Sequence, residues 1–264
     1  MVARARAWLA GEIETVEPRS AATVMLLRDR PTGLEVYLIR RVTSMAFAGG
    51  MYAYPGGGVD PRDGTAGTAW TGPAPTWWAG RLGCPVPAAQ ALVVAAVRET
   101  CEEAGVVLAG PDADSVVADT TGADWLRDRE RLVARETSYT GLLAERGLTL
   151  RADLLAPWAR WITPEFEPRR YDTYFFLAAL PAGQRTAEQC GEADLASWVR
   201  PADAVRDHAA GALAMLPPTV ATLAALAGYA TVAEALAAAA DRDLAPVLPI
   251  PKVEGDLLGF EYPA

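Results

Sequence analysis

Apolar positions in this chain come first as short runs and alternations, and only later at helical spacing. Ala22-Thr23-Val24-Met25-Leu26-Leu27 is a compact apolar run, the pattern of a buried strand. Asp29 to Gly33 carries turn chemistry, and Leu34-Glu35-Val36-Tyr37-Leu38-Ile39-Arg40 alternates as a hairpin partner would. Ala48 to Gly58 is glycine-rich and contains Tyr54-Pro55-Gly56-Gly57-Gly58. Residues 64–87 are punctuated by proline and glycine and carry Trp70, Trp77 and Trp78. They predict a long loop, a feature usually functional or disordered inside a compact domain. Pro87 suits a first helical turn, and the spacing predicts a helix from Ala88 through Ala104. Its core side holds Leu92, Val93, Ala96, Val97 and Thr100, and Gly105 reads as a left-handed cap.

Further along, residues 112–147 read as two or three polar helices. Trp158 to Ile162, Tyr174 to Ala178 and Ala196 to Val199 read as strands, with a loop from Thr163 to Thr173 between the first two. Pro201 opens a helix, Thr219 to Ala240 makes one or two more, and the tail after Pro246 reads as irregular. No internal repeat is present. Strands, a helix, more helices, strands and again helices predict an α/β fold with a mixed sheet and helices on its faces. A length of 264 residues suggests one large domain, or one domain with an appendage.

Composition narrows the function classes. Apolar residues at 51% against 22% charged residues describe a globular chain rather than a disordered one. A net charge of −9 argues against general nucleic-acid binding, which needs a basic footprint. It leaves room for a small phosphate-bearing substrate, because a bound metal and local arginines reverse the sign within one pocket. Lys252 is the only lysine beside many arginines, a coding bias without chemical content. Cys84, Cys101 and Cys190 are far apart and form no CxxC pair, so no zinc site or disulfide framework is indicated, and a reducing, cytoplasmic location is expected. The first nine residues lack an apolar core of signal-peptide length. Val220 to Ala240, interrupted by Gly228 and Glu234, fits a helical hairpin better than a membrane span.

The densest chemistry lies in Arg98-Glu99-Thr100-Cys101-Glu102-Glu103-Ala104-Gly105-Val106. Glu99, Glu102 and Glu103 stand at i, i+3 and i+4, so on a helix they share one face and repel one another. They also sit near the helix C-terminus, where acidic residues oppose the macrodipole. A solvated helix has no reason to concentrate them there. A hard divalent cation, Mg²⁺ or Mn²⁺, supplies one, because it takes oxygen ligands and offsets the repulsion.

Arg98-Glu99-x-x-Glu102-Glu103-x-Gly105-Val106 resembles the second half of the Nudix box, G-x5-E-x7-R-E-U-x-E-E-x-G-U. Tyr54-Pro55-Gly56-Gly57 resembles its aromatic-Pro-Gly-Gly lead-in, with Gly57 as the first box glycine. Forty residues separate Gly57 from Arg98 where the pattern has thirteen, an insertion of about 27. The first box glutamate falls on Asp63 counting from Gly57 and on Gln90 counting back from Arg98, and Thr100 occupies the apolar position. A box split in this way resembles the group that contains the peroxisomal coenzyme A diphosphatase of mammals. Trp161-Ile162-Thr163-Pro164, Pro168 to Ala178 and Leu216-Pro217-Pro218-Thr219 resemble that group's downstream blocks. The upstream coenzyme A signature is partly met by Leu38-Ile39-Arg40-Arg41 and Gly50, with Ala46 where an arginine is expected.

The resemblance implies a Nudix α/β/α sandwich over residues 1–264, with a 64–86 insertion loop and a 201–264 helical C-terminal extension. It implies metal-dependent hydrolysis of a diphosphate linked to another moiety, with coenzyme A or an acyl derivative as the leading substrate. Nucleoside diphosphate sugars, NADH and dinucleoside polyphosphates are rivals, and a non-catalytic nucleotide-sensing module is the alternative outside enzymology. Glu99, Glu102 and Glu103 would hold Mg²⁺ or Mn²⁺. Arg98, Glu102 and Glu103 would serve catalysis, Arg98 by orienting a carboxylate through a bidentate contact. Gly56, Gly57, Arg40, Arg169 and Arg170 would meet the substrate, and Glu165 and Glu192 are further base or ligand candidates. A homodimer is expected by analogy, without nucleic acid or membrane partners. The bland readings are a loop ion pair among Arg169, Arg170 and Asp172, packing for Trp77, Trp78 and Cys101, and a surface or core place for His208.

Overall fold

The computed structural model describes residues 1–42, 49–65, 67–187 and 193–262. After a short helix α1 (Val2–Leu9) come β1 (Arg19–Arg30), β2 (Gly33–Arg41), β3 (Tyr52–Ala53), β4 (Gly56–Gly58) and β5 (Trp70–Thr71). Helices α2 (Pro75–Leu82) and α3 (Val86–Ala104) follow, then β6 (Ala109–Gly110), α4 (Ala123–Val133), α5 (Tyr139–Glu145) and β7 (Thr149–Arg151). The chain returns through β8 (Ala156–Ile162), β9 (Tyr171–Ala179) and β10 (Ala193–Val199). It ends with α6 (Pro201–Ala209), α7 (Pro217–Leu226), α8 (Val232–Ala238) and a hairpin of β11 (Ile250–Glu254) and β12 (Leu257–Glu261).

The main sheet runs β10-β2-β1-β9-β8, with β3 added to β2 and β4 to β1. β1 and β9 are parallel and the other pairs antiparallel, so the sheet is mixed. Period-two alternation sends Val24, Leu26, Tyr37, Ile39, Tyr174 and Phe176 to one face, where they pack with α3. Met25, Leu27, Val36, Leu38, Phe175 and Leu177 go to the other, against Ala204 of α6, Leu223 and Leu226 of α7 and Ala235 of α8. Both faces are covered, which is why β1 reads as a continuous apolar run. The arrangement is an α/β fold with helices on both sides of a mixed sheet.

Two segments differ from expectation. The 64–86 region is not one loop. Its β5 pairs with β7 beside β6, and α2 packs against α3 at 94°. Trp78 is fully buried and meets Phe176 with ring centroids 5.9 Å apart, whereas Trp77 is exposed. Hydrophobic anchoring overrides the breaker-rich composition. The tail predicted as irregular forms the β11–β12 hairpin, so residues 201–264 are not purely helical. Phe260 stacks on buried Phe166 with centroids 6.2 Å apart, which supplies the apolar partner that a lone hairpin needs. Among the described residues no single helix is long and apolar enough to cross a membrane.

Trp78→Ala should cost about 3–5 kcal/mol of stability, the usual range for emptying a large aromatic site. Trp77→Ala should stay within roughly 0.5 kcal/mol, as surface changes do. Urea denaturation of both variants checks the pair, and equal effects would contradict the anchoring role of Trp78.

Candidate active site

Residues 56–58 lie between β1 and the C-terminal half of α3. Gly56, Gly57 and Gly58 pair with Thr23, Ala22 and Ala21 of β1. A Cβ on Gly56 would sit 2.7 Å from the Thr23 Cα and the Ala22 carbonyl oxygen. A Cβ on Gly57 would sit 2.5 Å from Glu99 Oε1. These two glycines are required by close approach rather than by backbone conformation. They bring bare backbone against the carboxylates of α3, and the Gly56 N–H donates to Glu103 Oε2 at 2.7 Å.

α3 ends at Gly105, whose φ of 68° makes it the expected left-handed cap. No basic residue occupies the last turn of α3. Instead Arg129 of α4 donates from Nε to the Glu102 carbonyl at 2.8 Å, placing a positive charge at the negative helix end. Nothing in the local sequence marks Arg129, because its role exists only once α4 has packed beside α3.

Arg98 organises the cluster, and it is buried. Its Nε and Nη2 clasp the two Asp63 carboxylate oxygens at 2.9 and 3.0 Å. Nη2 also donates to the Gly58 carbonyl at 2.9 Å, and Nη1 donates to Glu99 Oε1 at 2.6 Å and Glu102 Oε1 at 3.3 Å. All five N–H donors of the guanidinium are thereby used. The bidentate contact falls on Asp63, so of the two counterparts for the first box glutamate the structure selects Asp63 over Gln90. A 3-10 turn over Pro61–Gly64 positions Asp63, whose Oδ2 accepts from the Asp60 N–H at 2.8 Å. The insertion therefore enters after Asp63 and leaves the first stretch of the box intact.

Burial pushes the Glu99 carboxyl up to about 7, against the pull of Arg98. Burial also raises Glu102. For Arg98 desolvation disfavours the charge, but the pairs with Asp63, Glu99 and Glu102 outweigh it and the guanidinium is held charged. One guanidinium pairs with three carboxyl groups, Asp63 from the 3-10 turn and Glu99 and Glu102 from the last turns of α3, and Glu103 adds a fourth carboxyl to the cluster. Among the described residues no three His, Cys, Asp or Glu side chains are preset to close round a metal ion. The donor set still suits a hard divalent cation: clustered carboxylates, partly desolvated, with more negative charge than Arg98 offsets.

The other predicted residues are more scattered. Arg40 is half-buried on β2 between Tyr52 of β3 and Leu195 of β10. Arg169 is exposed in the β8–β9 loop. Arg170 is buried and donates to the Thr163 and Val16 carbonyls at 3.0 and 2.7 Å, so its guanidinium holds that loop rather than facing a ligand. Asp172 pairs with Arg160 at 2.8 and 2.7 Å, which replaces the expected pairing with its arginine neighbours. Glu165 is half-buried beside Phe166 in the same loop. Ala46, Cys190 and Glu192 lie outside the described residues. Cys101 is buried on α3 and its thiol is pushed up to about 12 by burial, so it packs and does not react. His208 Nδ1 lies 2.8 Å from the Leu213 carbonyl oxygen at the end of α6.

A family model described as NUDT19 Nudix domain matches residues 73–226. Acyl-coenzyme A diphosphatase NUDT19 of Xenopus laevis is 23% identical over 235 residues, covering 76% of this chain and 61% of that protein. The protein of the same name in Gallus gallus is 24% identical over 254 residues, covering 81% and 66%. The chain thus spans less than two thirds of the length of these curated relatives. A crystal structure of a NUDIX hydrolase from Alicyclobacillus acidocaldarius matches with a TM-score of 0.67 and 28% identity, over 88% of this chain and 99% of that one.

Asp63→Ala should lower stability by about 3–5 kcal/mol, because it strands a buried guanidinium. Gln90→Ala should change it by less than about 1 kcal/mol. Denaturant titration of the two variants decides between the counterparts, and the reverse order would reject Asp63.

Proposed function

The chain belongs to the family described as NUDT19 Nudix domain, and from that premise we propose that it hydrolyses the diphosphate linkage of coenzyme A or an acyl-coenzyme A, with Mg²⁺ or Mn²⁺ as cofactor. The observation that carries this reading is the contact of the Gly56-Gly57 backbone with Glu103 and Glu99 of one helix, with Glu102 held beside them by Arg98 and the group braced by the Asp63–Arg98 clasp. The relatives' names favour acyl-coenzyme A over nucleotide sugars or dinucleoside polyphosphates.

In the reaction, water adds to one phosphorus, the bond from that phosphorus to the bridging oxygen breaks, and two products leave, each keeping one phosphate of the former diphosphate. Glu99, Glu102 and Glu103 would hold the cation, which when bound neutralises phosphate oxygens and acidifies a coordinated water. Asp63 and the Gly58 carbonyl fix the guanidinium of Arg98 in the plane from which Nη1 reaches Glu99 and Glu102. Those two carboxylates are thus oriented before any ligand arrives. Glu103 is oriented from the other side, by the Gly56 N–H on its Oε2. Glu103 is our choice for the group that takes the water proton, with Glu165 in the β8–β9 loop as the reserve. The absence of a side chain at Gly57 lets the Glu99 carboxylate lie directly against the backbone of the glycine strand.

Two measurements test the proposal. With coenzyme A and acetyl-coenzyme A as substrates, product release should require added Mg²⁺ or Mn²⁺ and stop with chelator. Glu103→Gln should lower kcat by ~10²–10⁴-fold, the usual loss for a general base. Turnover unaffected by chelator and by Glu103→Gln would reject it. Gly57→Ala provides a separate check. Its Cβ would displace a carboxylate that Arg98 holds at 2.6 Å, so Mn²⁺ affinity measured by calorimetry should fall at least tenfold.

A further inference from the structure

Among the described residues Arg135 is the one other than glycine with a positive φ, at 61°. It follows α4, where the Arg135 N–H donates to the Leu132 carbonyl and the Glu136 N–H to the Arg131 carbonyl, each at 2.9 Å. Those two bonds close a left-handed helix end. At the ends of α1, α5 and α6 the same place is held by Gly11, Gly147 and Gly211. Glycine suits this conformation because a Cβ crowds the following carbonyl oxygen. An arginine there works against backbone preference, so what it contributes lies in its side chain.

Polar contacts fasten this turn to the candidate active site. Arg62 clasps Asp60, Nε to Oδ1 at 2.9 Å and Nη2 to Oδ2 at 3.0 Å. Its Nη1 donates to the Arg135 and Thr137 carbonyls at 3.2 and 3.3 Å. The Asp60 N–H in turn donates to Asp63, which clasps Arg98. The charge of Arg135 reaches both ends of this chain of contacts. Asp60 is held well below the usual carboxylate range by hydrogen bonds from Arg62 and by the charges of Arg62 and Arg135. Burial raises Glu102, and the charges of Arg98 and Arg135 draw it down. A structural counter-ion would close on one of these carboxylates, as Arg98 and Arg62 do. Among the described residues the exposed Arg135 guanidinium makes no hydrogen bond or ion pair.

Resting on the function proposed above, we infer that Arg135 is a substrate-binding residue whose guanidinium receives a phosphate of the diphosphate at the rim of the carboxylate cluster. A guanidinium takes phosphate through two parallel N–H···O bonds, and uncommitted donors are what that contact needs. The charge balance favours it as well. Asp63, Glu99, Glu102 and Glu103, when ionised, carry more negative charge than Arg98 and one divalent cation offset, and an incoming diphosphate adds to the excess. A fixed positive charge at the rim compensates for that addition without drawing on the carboxylates. Arg135 comes from the end of α4, outside the box, so spacing within the box does not locate it.

The test uses Arg135→Gly, which removes the guanidinium and suits the left-handed backbone. Its melting temperature should rise by roughly 2 °C, so a loss of binding cannot come from unfolding. By calorimetry, ADP in the presence of Mn²⁺ should bind Arg135→Gly about 10- to 100-fold more weakly than wild type, the loss expected for a charged hydrogen bond. Mn²⁺ alone should bind the variant no more weakly than wild type. With coenzyme A as substrate, kcat/KM should fall by a similar factor. Arg135→Lys should recover part of it, because it keeps the charge but not the fork. Equal ADP affinity in wild type and Arg135→Gly would overturn the inference. So would an equal loss of affinity for Mn²⁺ alone, which would make Arg135 a support of the metal site. ADP binding that depends on Arg135, with no hydrolysis of coenzyme A or its esters, would instead reject the proposed reaction and keep the phosphate contact.

Discussion

Arg98 sits at the centre of a buried charge cluster in which every N–H of its guanidinium has an acceptor. The geometry of the candidate site depends on that saturation. Asp63 and the Gly58 carbonyl take three of the bonds and lock the plane, and the remaining two reach the carboxylates of Glu99 and Glu102. Because both Arg98 and Asp63 are removed from water, neither can relax into solvent if the other moves. The result ties three separate stretches together: the glycine strand, the 3-10 turn after it, and the last turns of α3.

That tie explains how a long insertion is tolerated within one motif. Chain added between Asp63 and Arg98 does not disturb their contact so long as it leaves and returns at the same place. Loop closure grows slowly with length, so the entropic cost of the added residues is modest. The added segment also contributes stability of its own. Trp78 fills space beside Phe176 on the α3 face of the sheet, and β5 joins the small sheet with β6 and β7. The other end of the chain is equally integrated, since α7 and α8 supply the second apolar layer under β1, β2 and β9. A capping box at Thr231 and Glu234 starts α8, and Asp29 of β1 accepts from the Val232 N–H.

The charge economy of the cluster connects fold to chemistry. Burial raises Glu99 and Glu102, the helix end disfavours them further, and Arg98 and Arg129 offset only part of this. A protein that keeps such a cluster bears a cost that a bound cation removes.

Most of the fold was legible in sequence because periodicity is a local signal. β1, β2, α3 with its Gly105 cap, β9 and the C-terminal helices all follow from alternation, helical spacing or punctuation. The glutamate triplet and the glycine lead-in were equally plain. The 64–87 segment and the tail after Pro246 were misread, because their order comes from distant partners, Trp78 on Phe176 and Phe260 on Phe166. Arg170 looked like a ligand contact and proved to hold backbone carbonyls, since side-chain direction at a loop is decided by what packs around it. Residue types and spacing by themselves determined that three carboxylates would share a helix face and that bare backbone would lie near a turn. Only the tertiary structure decided that Asp63, rather than Gln90, completes the clasp on Arg98. Counting along the chain from either end gives different answers across an insertion, and contact in space does not depend on the count.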